Sequence, residues 1–362
     1  MSWSFEHSDI CMTLATALPV LHETAAPERV GELPAARVAE VRSLVAREMA
    51  EIEELIATRV AAGVSPGTES ARHLFDARGK RVRPLGLLLA TACFGAIDAR
   101  ARDLGAAAEL VHMATLLHDD VIDDADQRRG RPTSRRVWGN AVSVLAGDML
   151  LVEALRLASM GAGVSDTATW TELVATLGQL VDGEIIQLRG RVAVSLDEAT
   201  YFAIVRGKTA SLFEWALRAG ARTGGAPQAA VDALGRFGAS LAVAFQLVDD
   251  LLDYDGDAAR TGKTLFADLA EGKVTLPLIR AASAGTDGGA RVGSLVARVR
   301  EGDEAAAREL GSFVRESGAC ERVRQLARGE TDRALAELAI VPRCPASEAL
   351  ADVARGLAAR VS

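Results

Sequence analysis

The sequence predicts an all-α protein, and three observations support that prediction. The 362-residue chain is 49% hydrophobic and 25% charged, like an ordinary globular protein, but only 4% aromatic. Strands draw on aromatic and β-branched residues, whereas the Ala, Leu, Arg and Glu that abound here favour helices. Apolar residues recur at steps of three and four, as along one face of a helix, and no stretch alternates beside a hairpin signal. We therefore expect one all-α domain of ten or more helices and no sheet.

The predicted boundaries of the helices follow from where this periodicity stops. The first pattern starts at Val38, and the sequence AGVSPG at 62–67 ends it. Helical periodicity resumes after Ser70 and continues to the end of the chain with short interruptions. We expect these at 95–98, 128–134, 159–166, 185–198, 220–228, 254–264, 284–290, 317–319 and 341–346. Residues 1–33 have a mixed composition and are interpreted as an N-terminal extension, which leaves residues 34–362 as the helical domain.

Composition also excludes several classes of protein. The net charge of -8 argues against nucleic acid as a partner, because phosphate binding needs a basic face. The four cysteines are far apart, with no CxxC pair, so neither a disulfide framework nor a zinc site is expected and a reducing cytoplasm fits. The longest apolar run, 84–97, is shorter than the roughly 20 residues of a membrane-spanning helix. We expect a cytoplasmic protein without a transmembrane segment or signal peptide.

The first chemical motif is an acidic cluster, HDDVIDDAD at 118–126. On a helix, Asp119 and Asp123 are four residues apart and share a face, with Asp120 about 100° around the axis. Like charges at this spacing destabilise a helix by a few tenths of a kcal/mol per pair, so a cation should offset them. Carboxylates without His or Cys suit Mg²⁺, which usually takes one or two of them together with substrate phosphate oxygens. The cluster therefore predicts a metal–phosphate site.

The second acidic cluster repeats the DDxxD spacing about 130 residues later, with Asp249, Asp250 and Asp253. It interrupts an otherwise apolar helix, Leu241–Leu252, where unpaired carboxylates would cost several kcal/mol. A single DDxxD is most often a solvated helix face. Two of them, both beside apolar helix, indicate a cavity that holds cations.

Basic residues stand in short motifs that could match these acids. Their sequences are GKRVRP at 79–84, RRG at 128–130, RGKTA at 206–210, GKT at 262–264 and GK at 272–273. Gly79 and Pro84 indicate a loop that leads into a helix, whose N-terminus favours anions. Each motif alone is weak, since a lone Lys or Arg is usually solvated. GKT is not a Walker A loop, because the preceding glycine is misplaced by one residue and no strand comes before it. His112, two turns before Asp119, would by itself more often be structural.

Together these motifs resemble those of the trans-isoprenyl diphosphate synthases, also called polyprenyl synthetases, over about residues 36–360. The matching segments are GKRVRP, ELVHMATLLHDDVIDDADQRRG at 109–130, GNAVSVLAGD at 139–148, GKTA at 207–210, FQLVDDLLDYDGD at 245–257 and DLAEGKVTLPL at 268–278. The resemblance implies an all-α bundle around a deep central cavity, usually a homodimer. It also implies an enzyme that adds isopentenyl diphosphate to an allylic diphosphate such as farnesyl diphosphate.

The resemblance assigns roles to individual residues. Its metal ligands correspond to Asp119, Asp120, Asp123, Asp249, Asp250 and Asp253, and Lys208 joins the aspartates as a catalytic residue. Isopentenyl diphosphate would be held by Lys80, Arg83, His112 and Arg129. The allylic diphosphate would be held by Arg128, Lys208, Thr209, Gln246, Lys263 and Lys273. Three Mg²⁺ per active site are implied, with Mn²⁺ as a substitute. Two positions depart from the family pattern, since Arg78 and Phe266 replace glycines. Because Phe cannot readily adopt a backbone conformation reserved for glycine, Phe266 should change the shape of the 262–273 loop.

Product length depends in this family on the size of the residues one turn before the first motif. Here Ala114 and Thr115 are small, and DDVID carries no two-residue insertion. Each added isoprene unit buries five carbons, worth roughly 4 kcal/mol if fully desolvated. We therefore expect a hexaprenyl to decaprenyl product, with the floor of the tunnel deeper, on the helix of Leu150, Leu151, Leu155 and Leu157. If another helix or a dimer partner closed the tunnel early, the product would be geranylgeranyl diphosphate.

Two other functions use related sequences. A class I terpene cyclase also carries DDxxD, but its second motif normally mixes Asn, Ser or Thr and Glu, and its pocket is rich in aromatics. Here the second motif is DDLLD, and GKRVRP and RRG supply a second diphosphate site. A non-catalytic subunit of a heteromeric synthase usually loses its acidic motifs, and both are intact in this sequence.

Overall fold

A computed structural model describes residues 40–41, 43–77, 79, 81–159, 167–192, 196–255, 273–284 and 287–358. The predicted extension over residues 1–33 lies outside the described residues, as does the proposed boundary at residue 34. Lys80, Lys263, Arg78 and Phe266 lie outside them as well, so their predicted roles stay predictions.

Over the described residues the fold comprises fifteen α-helices, which confirms the all-α prediction. Their bounds are α1 Ala46–Ala61, α2 Gly67–Asp76, α3 Val82–Ala92, α4 Ala99–Ile122, α5 Ser134–Trp138, α6 Asn140–Ser159, α7 Thr167–Val192, α8 Glu198–Ile204, α9 Ser211–Thr223, α10 Gln228–Asp255, α11 Leu276–Ala282, α12 Gly288–Arg300, α13 Glu304–Glu316, α14 Ala319–Glu337 and α15 Pro345–Ala358. A π-helical segment, Val205–Ala210, joins α8 to α9, and a 3₁₀ turn, Leu338–Ile340, follows α14.

The expectation of no sheet is wrong at one place. Strands β1, Gln127–Arg128, and β2, Arg131–Pro132, form an antiparallel hairpin just after the first acidic cluster. Arg129 (φ 53°) and Gly130 (φ 73°) form its turn, and positive φ at both central residues is what the tightest hairpin turns require. Strands of two residues are too short to show alternation, so the sequence pattern could not reveal them. The hairpin fixes where the RRG arginines lie.

One predicted interruption, 185–198, begins too early. Helix α7 continues to Val192, and Gly190 lies inside it without ending it. A lone glycine costs a helix only about 1 kcal/mol relative to alanine, which packing elsewhere can offset. The longer α7 brings residues 183–187 onto a regular helix beside the π-helical segment.

Both acidic clusters belong to helices at the centre of the fold. Helix α4 packs against α1, α3 and α6, and α10 packs against α9 and α14. On α4, the side chains of Leu104, Leu110 and Leu117 are completely buried. In both helices the aspartates stand at the C-terminal end, where the helix macrodipole is negative and disfavours further negative charge. Cations are therefore needed where α4 and α10 end.

Helix α10 is also the one described helix that length and composition would allow to cross a membrane. Its segment Gln228–Tyr254 has 27 residues and a mean hydropathy of 1.3, but 67% of its apolar window is buried in the fold. A buried core helix passes the same test, and α10 has the environment of such a helix.

Candidate active site

A cluster of arginines surrounds His112 on α4. Burial lowers the pKa of this imidazole well below its ordinary range, and the charges of Arg83, Arg129, Arg128 and Arg81 lower it further. The ring is therefore neutral at physiological pH and is surrounded by guanidinium groups from α3 and the hairpin. The predicted isopentenyl diphosphate residues Arg83, His112 and Arg129 do come together.

Two arginines of this cluster, Arg83 and Arg129, lie in surroundings that disfavour their positive charge. Burial lowers the pKa of Arg83 to about 10, and its guanidinium lies 4.7 Å above the ring centroid of Phe213. Its Nε is buried without a hydrogen-bond partner among the described residues. Burial and the neighbouring arginines also lower the pKa of Arg129, which donates from Nη1 to the Ala77 carbonyl at 3.3 Å. Such mutual repulsion is relieved by a bound anion.

Arg81 has a structural role that the sequence motif did not reveal. Its Nη1 lies 2.7 Å from Oε1 of Glu109, and the two side chains are 5% and 3% exposed. Arg81 has a φ of 50° and precedes the first residue of α3, with its guanidinium 4.9 Å from the ring centroid of Phe75. This buried ion pair ties the GKRVRP loop to α4 and so fixes the start of the helix that carries Arg83.

The two ends of the first acidic motif meet lysines from different parts of the chain. Lys208 Nζ lies 3.2 Å from Oδ2 of Asp119. Lys273 Nζ lies 3.6 Å from Oδ2 of Asp123. Burial raises the pKa of Asp119, the charge of Lys208 opposes that rise, and nearby carboxylates add to it. The structure therefore brings the predicted Lys208 and Lys273 to the first cluster.

The middle acid of the first motif is turned to another partner. Asp120 is 2% exposed and accepts from Nε and Nη2 of Arg128 at 2.9 and 2.8 Å, both at Oδ1. Burial raises the pKa of Asp120, and Arg128 opposes that rise. This geometry suits a residue that anchors the hairpin to α4 better than it suits a metal ligand.

In the second motif, Asp250 is likewise the centre of a hydrogen-bond network. Its Oδ2 accepts from the Tyr201 hydroxyl at 2.7 Å and from the Leu276 amide at 3.3 Å, and its Oδ1 accepts from Gln246 Nε2 at 2.9 Å. Thr209 Oγ1 donates to Oε1 of Gln246 at 3.3 Å. The predicted Thr209 and Gln246 therefore lie together, tied through Asp250 to α8 and α11.

The other two acids of the second motif differ in exposure. Asp249 is half-buried, while Asp253 is fully buried. Asp249 is therefore the member of this motif best placed to meet a bound ligand.

The π-helical segment is what presents Lys208. Its Gly207 packs directly on Gly183 of α7: a Cβ on Gly183 would lie 2.8 Å from the Lys208 amide nitrogen, and one on Gly207 2.8 Å from the Gln179 carbonyl oxygen. Only glycine permits this approach. π-Helical turns are often found at functional sites, and here the wider turn places Lys208 between α7 and α4.

The donor set fits magnesium. Asp119, Asp123 and Asp249 offer only hard carboxylate oxygens at the negative ends of two helices, as Mg²⁺ prefers. Among the described residues, no three His, Cys, Asp or Glu side chains stand close enough to hold an ion by themselves. A bound Mg²⁺ would therefore share its coordination with substrate oxygens.

The residues expected to control product length lie directly below the first motif. Thr115 stands four residues before Asp119, so the two share a face of α4. Thr115 is half-buried and donates its hydroxyl to the His112 carbonyl at 2.8 Å, whereas Ala114 is 3% exposed. On α6, Leu150 and Leu157 are buried, and Leu151 and Leu155 are half-buried.

Residues 67–310 match the family model described as polyprenyl synthetase. The chain belongs to the polyprenyl synthetase family. An all-trans-nonaprenyl-diphosphate synthase from Rhodobacter capsulatus is 35% identical over 86% of this chain and 94% of that protein. Component 2 of a heptaprenyl diphosphate synthase from Geobacillus stearothermophilus is 37% identical over 86% of this chain and 95% of that protein. The crystal structure of a polyprenyl synthase from Caulobacter crescentus, complexed with calcium and isoprenyl diphosphate, has a TM-score of 0.83 and 35% identity, and covers 92% of this chain and 100% of that one.

These comparisons confirm the resemblance inferred from the motifs. The chain is a trans-prenyltransferase of this family with the all-α isoprenoid synthase fold. Two residues of the site, Tyr201 and Glu184, were not singled out by sequence reasoning, because their importance depends on contacts with distant segments.

Proposed function

We propose that this chain condenses isopentenyl diphosphate head-to-tail with an allylic diphosphate, such as farnesyl diphosphate, to make an all-trans polyprenyl diphosphate of hexaprenyl to decaprenyl length. The observation that supports the proposal best is the presence of two groups of cationic side chains. Lys208 and Lys273 meet the first acidic motif, and an arginine cluster surrounds His112. A reaction between two diphosphates needs both.

On the allylic side, Asp119, Asp123 and Asp249 would hold Mg²⁺, expected as three ions per active site with Mn²⁺ as a substitute. Bound Mg²⁺ neutralises the charge of the diphosphate leaving group. Lys208, Lys273 and, by resemblance, Lys263 add positive charge around that group. Asp120 and Asp250 would act indirectly, by holding Arg128 and Gln246 in place.

On the homoallylic side, Arg83 and Arg129 would bind the diphosphate of isopentenyl diphosphate beside the neutral His112, together with Lys80 by resemblance. This would place the double bond against the allylic carbon. The carbon–oxygen bond to the allylic diphosphate breaks, a carbon–carbon bond forms, and a proton leaves for the departing diphosphate. No nucleophilic side chain is required; the arginines orient and neutralise.

The expected product length follows from the small side chains below Asp119. Ala114 and Thr115 leave no bulky group on this part of α4, and the next large apolar residues expected to close the tunnel are those of α6. The relatives named nonaprenyl and heptaprenyl diphosphate synthases have products of the same class.

A homodimer accounts for exposed apolar residues on two neighbouring helices of the chain. On α7, Val174, Val181, Ile185 and Leu188 recur at steps of seven, four and three and are 44–58% exposed. On α6, Leu145 and Val152 are 64% and 52% exposed. Such stripes indicate a protein interface. We propose that a second copy of the chain covers them, in a cytoplasmic dimer.

The relative named component 2 favours one alternative, that this chain needs a second component. The test is to incubate the purified chain alone with isopentenyl and farnesyl diphosphates and to measure diphosphate release with Mg²⁺ and with a chelator. We expect release only with the metal, and its loss in Asp119→Asn. No release from the folded chain with Mg²⁺ would contradict the proposal as stated.

A further inference from the structure

We propose that Glu184 is a positioning residue that holds the Lys208 ammonium beside Asp119 at the allylic end of the site. This inference rests on the proposed function, since it assigns a task to Lys208 in that reaction. It concerns an acid outside both aspartate motifs, directly before the predicted interruption at 185–198 through which α7 in fact continues.

The geometry places one ammonium between two carboxylates. Lys208 Nζ forms an ion pair with Oε2 of Glu184 and lies 3.2 Å from Oδ2 of Asp119. The side chains of Lys208, Glu184 and Asp119 are 23%, 15% and 14% exposed, so water screens them only partly. The three residues come from the π-helical segment, α7 and α4.

Glu184 is itself held in a fixed orientation. Its Oε1 accepts from Nε2 of Gln187, one turn further along α7, at 3.2 Å. The contact between Gly183 and Gly207 locks the α7 backbone against the backbone that carries Lys208. Both ends of the Glu184–Lys208 pair are therefore anchored.

A lysine needs such an anchor because its charge sits on a flexible four-carbon stem with many rotamers. With Asp119 as its sole partner, the Lys208 ammonium would move whenever the Asp119 carboxylate turns to bind metal. Glu184 offers a second carboxylate, so that Lys208 keeps its place when Asp119 turns to a cation. The ammonium is then already oriented when the allylic diphosphate arrives, which is the preorganisation that electrostatic catalysis requires.

The substitution that tests this role is Glu184→Gln, which keeps the length of the side chain and removes its charge. Loss of such a supporting partner usually costs about 10- to 100-fold in activity. We expect that loss in kcat with farnesyl diphosphate, while KM for isopentenyl diphosphate stays within about twofold. Calorimetric affinity for a non-hydrolysable thiolodiphosphate analogue of farnesyl diphosphate should also fall.

A double-mutant cycle separates positioning from a general structural effect. If Glu184 acts through Lys208, then Glu184→Gln should change neither kcat nor analogue affinity by more than about threefold in a Lys208→Met background. Glu198→Gln is the matched control, because Glu198 also forms an ion pair, with Arg280 at 2.5 Å, but lies outside the proposed site. That variant should keep the activity of the unmodified chain.

Either of two results would overturn the inference while the unmodified chain remains active. One is full kcat in Glu184→Gln, and the other is an equal loss with and without Lys208. An inactive unmodified chain would instead count against the proposed function, and the affinity cycle with the analogue would still decide the role of Glu184.

Discussion

Thr115 is the position where the structure predicts the sharpest control of product length. It lies four residues below Asp119 on the same face of α4, which is about 6 Å along a helix. An extended prenyl unit of four main-chain carbons spans about 5 Å by ordinary bond geometry. A phenyl ring introduced by Thr115→Phe would therefore stop the chain after its first units below the metal site. We expect elongation of farnesyl diphosphate to stop at about 20 carbons.

The free energy gained by burying the growing prenyl chain shows why a steric block is needed to stop elongation. Growth from four to eight isoprene units desolvates about 20 carbons, at most ~16 kcal/mol at about 0.8 kcal/mol per carbon. A lost hydroxyl contact could not oppose that, whereas excluded volume can. Thr115→Val is thus the matched control: it keeps the shape of the side chain, loses the hydrogen bond to the His112 carbonyl, and should leave product length unchanged.

The assay extracts and sizes the products made from labelled isopentenyl diphosphate and farnesyl diphosphate. Ala114→Phe should also shorten the product, but Ala114 is 3% exposed, so overpacking should cost about 1–3 kcal/mol of stability as well. Thermal unfolding of each variant shows whether it is folded. If folded Thr115→Phe makes products as long as those of the unmodified chain, this face of α4 does not line the tunnel.

Three further predictions concern stability and assembly. Arg81→Met removes the hydrogen-bonded partner of the buried Glu109 carboxylate and should lower the free energy of unfolding by about 3–5 kcal/mol in denaturant titrations. A loss below about 1 kcal/mol would show that the pair is not a structural anchor. Ile185→Asp should give monomers in analytical ultracentrifugation, whereas Val64→Asp, on a loop outside the proposed interface, should not; unchanged association of Ile185→Asp would place the interface elsewhere. Folding depresses the pKa of His112, so the free energy of unfolding is greatest above the unfolded pKa near 6.5 and decreases as the pH falls below that value. His112→Asn should reduce this decrease between about pH 7.5 and 5.5. An identical pH dependence in the variant would contradict the buried neutral imidazole.

The sequence predicts a feature well when that feature depends on residues close together in the chain. The spacing of Asp119 and Asp123 on a helix follows from helix geometry alone, and the structure places both as expected beside basic residues. The small hairpin could not be predicted, because its strands are two residues long and only the turn at Arg129 marks it.

Side-chain orientation within the motifs was beyond sequence reasoning for a different reason. Adjacent aspartates look equivalent in DDxxD, yet Asp120 pairs with Arg128 of the hairpin and Asp250 accepts from Tyr201, which is 49 residues away in the chain. Glu184 belongs to none of the motifs that the sequence shows. Its place in the site exists only because α7 packs closely on the π-helical segment.

The most direct measurement is the length of the product made by the purified chain with isopentenyl diphosphate, farnesyl diphosphate and Mg²⁺. Two groups of cationic side chains, together with the small side chains of Ala114 and Thr115 on α4, predict products of 30 to 50 carbons. These products should form only with the metal present. A single product of twenty carbons or fewer would contradict the long-chain function, and the absence of any elongated product would contradict the proposed reaction itself.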